Sequence, residues 1–146
     1  MWLWSLLALI SGIVLPLQAG INAQLRSWLG QPVLAAFVSF GVGTIALLGY
    51  SLALRLPWPA TGRIVLAPWW VWTGGLLGAF FVWVNLTLAP KLGATVLVGF
   101  IIAGQMLASL LMDHFGVVGY PRHPIGLWRV LGVVMIMSGV ILIRKF

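Results

Sequence analysis

Residues 92–112 read LGATVLVGFIIAGQMLASLLM, 21 consecutive positions without a charge in which Thr95, Gln105 and Ser109 are the polar side chains. A helix needs about 20 mainly apolar residues to cross the hydrocarbon core of a bilayer. The stretch therefore reads as a transmembrane helix, and similar stretches surround it. Charge-free runs also cover residues 1–25, 27–54 and 64–90, with a shorter one at 130–143. The last reaches spanning length only by starting near Ile125 or Gly126. That puts Arg129 about one turn inside, from where its long stem lifts the guanidinium to the interface. The pattern predicts five helices, at about 2–25, 33–54, 69–89, 94–115 and 126–143.

Composition agrees. Of 146 residues, 62% are apolar and 6% charged, against roughly 45–50% and about 25% in soluble domains. A chain of this size cannot hide so much apolar surface from water, so an ordinary soluble globule is excluded. There is no cysteine, which removes disulfides, thiolate catalysis and cysteine-ligated zinc. The formal charge of +7 comes from Lys and Arg scattered singly between apolar runs, an arrangement of interfacial anchors rather than of nucleic-acid binding.

Turn residues fall between the spans. Gly30, Gln31 and Pro32 separate the first two, and Pro57, Pro59, Thr61, Gly62 and Pro68 mark the second loop. Pro90, Lys91 and Leu92 before Gly93 predict a tight third loop, and Gly116, Gly119, Pro121 and Pro124 the fourth. No linker is long or polar enough to divide residues 1–146, so the expectation is a single all-α transmembrane domain. The N-terminal run reads as a span rather than a signal peptide. It has no basic n-region, Leu17 occupies the outer position of the possible cleavage site, and another apolar span follows at once.

The distribution of charge bears on orientation. With five spans, the second and fourth loops share the side of the N-terminus and carry Arg55, Arg63, Arg122 and Arg129. The first and third loops and the C-terminus carry Arg26, Lys91, Arg144 and Lys145. The score is level at four each. Orientation follows the Lys and Arg difference between the two sides, so this chain has little to choose one insertion over the other. The expectation is dual topology and an antiparallel homodimer of ten helices. Such a dimer generates from one short chain the inverted repeats on which many secondary transporters are built.

Polar groups inside lipid are costly unless partnered, which makes them the first candidates for function. Gln18, Asn22 and Arg26 follow one another at four-residue spacing on the first helix, within one stripe. Pro16 just before them removes a backbone hydrogen bond and permits a hinge. Two readings stand side by side: a hinged helix lining a polar cavity, or amides that bond a neighbouring helix while Arg26 binds lipid phosphate. Asn85 and Trp83 on the third span offer an amide and a stacking surface to a substrate, or an interhelical bond. Gly74 and Gly78 form a G-x-x-x-G step suited to helix packing. Gln105, Ser109 and Asp113 make a polar line on the fourth span. Asp113 is the single acid and falls at a helix C-terminus, where the macrodipole disfavours negative charge. It calls for Arg122 or Arg129 as an ion-pair partner, the alternative being a role in proton or cation coupling. Trp2, Trp4, Trp58, Trp69, Trp70, Trp72 and Trp128 form an aromatic belt. His114 and His123 have no carboxylate cluster around them, so no metal site is expected. No nucleophile is paired with an acid and base, and there is no phosphate-binding Gly-Lys-Ser/Thr loop, so neither an enzyme nor an ATP-driven pump is expected, and no cofactor.

Residues 12–26 (GIVLPLQAGINAQLR), 85–93 (NLTLAPKLG) and 103–116 (AGQMLASLLMDHFG) resemble the YdcZ-like family, a half-size, five-helix branch of the drug/metabolite transporter superfamily. The resemblance covers nearly the whole chain and is most specific around Asp113. It implies a multi-pass protein of the bacterial inner membrane, in a family whose members occur singly, as pairs, or fused into ten-helix chains. Related small multidrug resistance proteins use a Glu in the middle of the first helix for proton-coupled export. The first helix here has no acid, so that mechanism does not transfer. The expectation is a secondary transporter of a small neutral, zwitterionic or anionic solute, with Gln18, Asn22, Arg26, Trp83, Asn85 and Gln105 along its pathway. The rival is a non-transporting membrane subunit or scaffold that contacts lipid or another membrane protein.

Overall fold

The computed structural model describes residues 2–59 and 61–146, with every side chain among them except those of Thr61 and Arg63. Arg63, which enters the charge count, and Thr61, a marker of the second loop, thus have side chains outside the described set. All regular structure in the described residues is helical: α1 (Trp2–Leu29), α2 (Pro32–Ala53), α3 (Thr61–Val65), a 3₁₀ turn (Trp69–Thr73), α4 (Gly74–Leu92), α5 (Ala94–Phe115) and α6 (Leu127–Lys145). Five spans are long and apolar enough to cross a membrane, the third running through the 3₁₀ turn and α4.

Local chemistry sets the ends. Gly30 sits at φ +75° and donates its N–H to the Arg26 carbonyl at 2.8 Å. The stop of α1 is therefore this left-handed glycine, the common helix C-cap, and not the charge at Arg26. The predicted end at residue 25 falls four residues short. At 28 residues and about 1.5 Å each, α1 is roughly 42 Å long. That exceeds the hydrocarbon core and requires tilt or projection. Pro32 opens α2 at a position where its missing N–H costs nothing. The predicted third loop is corrected: Pro90, Lys91 and Leu92 are helical, and Gly93 alone intervenes before α5. A proline in the last turn forfeits one hydrogen bond without ending the helix. The helix expected at 69–89 instead starts as a 3₁₀ turn, and the proline-rich second loop contains α3.

The chain divides into two compact units, Met1–Lys91 and Leu92–Phe146. In the first, Ala35 and Ala36 of α2 pack with Leu86 of α4, flanked by Leu25 and Val82. The alanines let the backbones approach closely. In the second, Gly99 of α5 receives Val140 of α6, whose methyls would lie 3.2 and 3.3 Å from an added Cβ. Arg144 lies 5.7 Å over the Phe100 ring, and Arg129 pairs with Asp113 toward the other end of the same two helices. Elsewhere the spans are apolar on the outside: at most 17% of any span's most apolar window is buried. Several hydroxyls at membrane depth are satisfied within their own helices, as in Ser11 to the Ala8 carbonyl, Thr44 to Phe40 and Ser138 to Val134. Where no water is available, this is the required solution.

Candidate functional site

Pro90 has no N–H, so the carbonyl four residues before it, that of Leu86, loses its helical donor. Leu86 is 1% exposed, and a buried carbonyl left unpaired costs about 1–3 kcal/mol. Arg26 of α1 meets the need, its Nη1 donating to the Leu86 oxygen at 2.7 Å. The guanidinium is thereby fixed between α1 and α4. It is half-buried, with one of its five N–H groups used by the described residues.

Asn22 lies one turn before Arg26 on the same stripe and about 10 Å from the end of α1 by helical rise. It is 5% exposed, and among the described residues no hydrogen bond reaches its amide, whose polar atoms keep a little accessible surface. Asn85, beside Leu86, is 7% exposed and donates Nδ2 to the Phe81 carbonyl at 2.8 Å. The structure thus brings Asn22, Arg26 and Asn85 to one end of the first unit.

Other candidates fall elsewhere. Gln18 is exposed, because four-residue steps on a 3.6-residue helix drift about 40° each and carry it off the buried stripe. Trp83 is 42% exposed and tilts against Phe80, ring centroids 6.1 Å apart. Pro16 is half-buried in mid-helix. Of the G-x-x-x-G step, Gly78 faces the Phe40 ring, which would lie 3.5 Å from a Cβ added there, whereas Gly74 has open space beside it. Gln105 belongs to the second unit and is exposed.

The second unit carries a polar end of its own. Arg129 Nη1 lies 3.2 Å from Asp113 Oδ2 and also donates to the His123 carbonyl at 3.3 Å. Arg122 Nε reaches the His114 carbonyl at 3.3 Å, and the His123 N–H reaches the Asp113 carbonyl at 2.7 Å. The fourth loop therefore folds back to cap the free carbonyls that end α5. His114 joins through Nδ1, which accepts the Ile125 N–H at 3.1 Å. Sequence reasoning misses this role, and the glycines and prolines that turn the loop back are its visible signal. Beside the ion pair, a cleft of about 250 Å³ opens between α5 and α6, lined by Met106, Ser109, Arg129 and Ile136 among others.

The family model described as "Putative inner membrane exporter, YdcZ" matches residues 3–142. The chain belongs to the YdcZ family. Within that family, the protein named "Inner membrane protein YdcZ" of Escherichia coli (strain K12) is 27% identical over 77 residues, which are 53% of this chain and 51% of that protein. The match thus spans about half the length of the curated relative. No solved structure matches. Family membership and five spans make this a multi-pass protein of the inner membrane. The YdcZ family is described by export and not by an enzymatic reaction.

Proposed function

We propose that the chain is a secondary transporter of a small organic solute, working by alternating access in an antiparallel homodimer. The observation that carries the reading is the cluster of Asn22, Arg26 and Asn85, polar groups kept inside apolar spans where each unsatisfied one is costly. Hydrogen-bonding capacity in Asn22 and Arg26 goes unused by the fold, as a wet pathway requires. The family's description supports export as the direction. Gln18, Trp83 and Gln105 extend the pathway on surfaces that a second copy covers, and Pro16 permits bending of α1. Asp113 with Arg129 is structural in this reading.

The level count of Lys and Arg supports insertion both ways round. Cysteines added in the first and second loops test it with a membrane-impermeant thiol reagent. Labelling of each loop from both sides of the membrane is expected, and labelling of each from one side only ends the idea. For function, the purified protein is screened for thermal stabilisation by a panel of metabolites and quaternary amines, since a ligand of the folded state raises apparent stability. The solute found is then followed into proteoliposomes. Asn22→Ala and Gln105→Ala should abolish its flux and leave the dimer folded, and normal flux in both removes these residues from the pathway.

A second reading, a non-transporting membrane subunit, is favoured by one observation: the Arg26 and Asn85 hydrogen bonds end on backbone carbonyls. A screen in which no solute stabilises the protein, with no flux of any, selects it.

A further inference from the structure

The chain has eight cationic residues and one acid. That acid, Asp113, is engaged by Arg129 in the second unit. Arg26 is thus a half-buried guanidinium inside a span, and no further acidic side chain remains in the sequence to neutralise it. A charge so placed is costly by itself, and a backbone carbonyl supplies a partial charge only. Its geometry is that of a receptor. One Nη1 N–H is fixed on the Leu86 oxygen, which holds the planar group in place and leaves four N–H groups, a fork that matches carboxylate and phosphate oxygens. One turn away, Asn22 is 5% exposed with an amide that no described residue bonds. No fully buried side-chain N or O among the described residues lacks a partner, so this amide keeps a little accessible surface, and through it a ligand or water can complete it.

We propose that Arg26 and Asn22 form an oxyanion subsite, with the guanidinium taking two oxygens of a carboxylate or phosphate group and the Asn22 amide donating to one of them. This rests on reading the first unit as the transport pathway, and it assigns the solute an anionic or zwitterionic class. A phosphate of the same chemistry also exists on lipid headgroups, and the experiment separates the two sources.

The full chain, purified in dodecyl maltoside and delipidated, is heated while its tryptophan fluorescence is followed. Sodium acetate and inorganic phosphate are titrated against sodium chloride at constant ionic strength. Acetate or phosphate should raise the melting temperature above the chloride value in the wild type and in Lys145→Gln, which lies in the second unit. Arg26→Lys keeps the charge and loses the fork, so its half-saturating concentration should rise at least about tenfold. Asn22→Leu replaces an unpartnered amide by an apolar side chain of similar size. It should melt no lower than the wild type in chloride and lose the anion-dependent rise, which keeps folding and binding apart. Native mass spectrometry before delipidation reads the source: phospholipid retained by the wild type, shed by both variants and displaced by acetate marks a headgroup, and no retained lipid marks a free solute. An equal acetate and phosphate response in wild type and both variants overturns the subsite, as does no response in a wild type that also retains no phospholipid. Binding is read without flux. Loss of transport with the anion response intact therefore fails the transport reading alone, and transport with neither an anion response nor retained phospholipid fails the subsite alone.

Discussion

If Arg26 supplies the donor that Pro90 withholds, the two residues must be energetically coupled, and the coupling has a definite sign. Arg26→Met keeps an apolar stem of similar reach and removes every donor. The buried Leu86 oxygen is then unpaired, at about 1–3 kcal/mol, offset in part by removal of a half-buried charge. Pro90→Ala in the wild type restores a helical N–H to that oxygen, which is already satisfied, so its gain is mainly the relief of proline strain in a last turn. In the Arg26→Met background the same alanine rescues an orphaned carbonyl and gains about 1–2 kcal/mol more. The double variant is therefore expected to be more stable than the sum of the singles by that amount. Equilibrium unfolding at increasing mole fraction of sodium dodecyl sulfate in mixed micelles, followed by far-UV circular dichroism, measures all four proteins. Additivity within about 0.5 kcal/mol, the usual behaviour of independent sites, refutes the link between the 2.7 Å contact and the missing N–H.

Three further perturbations test the second unit. Gly99→Ala places a methyl 3.2 Å from Val140 Cγ1; overpacking of about 1–3 kcal/mol outweighs the propensity gain of about 1 kcal/mol, and adding Val140→Ala should return much of the loss in the same unfolding assay. Asp113→Asn should cost about 0.5–1 kcal/mol, because the pair is partly exposed and its loss also relieves a carboxylate at a helix C-terminus; flux of the transported solute should persist, and a loss of flux at unchanged stability would return Asp113 to a coupling role. Val118 adopts φ +57° ahead of Gly119 at +84°, in a turn closed by the Tyr120 N–H on the Val117 carbonyl at 3.2 Å, so Val118→Asn, which creates the favoured Asn-Gly pair, should stabilise by about 1 kcal/mol and raise the melting temperature.

Legibility follows the length of the local signal. The span at 94–115 coincides with α5 because glycines that take φ +75° and +63° bracket it, and such stops are visible in sequence. The end of α1 is misread from sequence because a charge inside a helix resembles a boundary, whereas the chain tolerates Arg26 by giving it an acceptor on α4. The end of α4 is misread for the complementary reason. Pro90 looks like a breaker, and the carbonyl it orphans is repaired from sixty residues away, a tertiary event that no local pattern encodes. The same limit applies to the candidate site. Four-residue spacing groups Gln18 with Asn22 and Arg26, but only packing against α2 and α4 decides which side of that stripe is inside. Between the two arginines available to Asp113, sequence does not choose. The loop geometry gives Arg129 the carboxylate and Arg122 a carbonyl.

The depth of the Arg26 cluster constrains the proposed dimer. Arg26 and Asn22 lie within the last eight residues of α1, nearer one end of that helix than its middle. A lone copy, or two copies side by side in the same sense, would hold such groups near one membrane face only and would have no equivalent set at the other. An antiparallel pair carries one set near each face, exchanged by the two-fold axis that exchanges inward-open and outward-open states. A solute released from one set then meets an identical one on its way out, and neither face needs a site of its own design. In the proposed dimer, dual insertion and a polar cluster placed off-centre are two aspects of one arrangement. Two equivalent anion sites per dimer are expected by titration calorimetry, and a single site per dimer would break that correspondence.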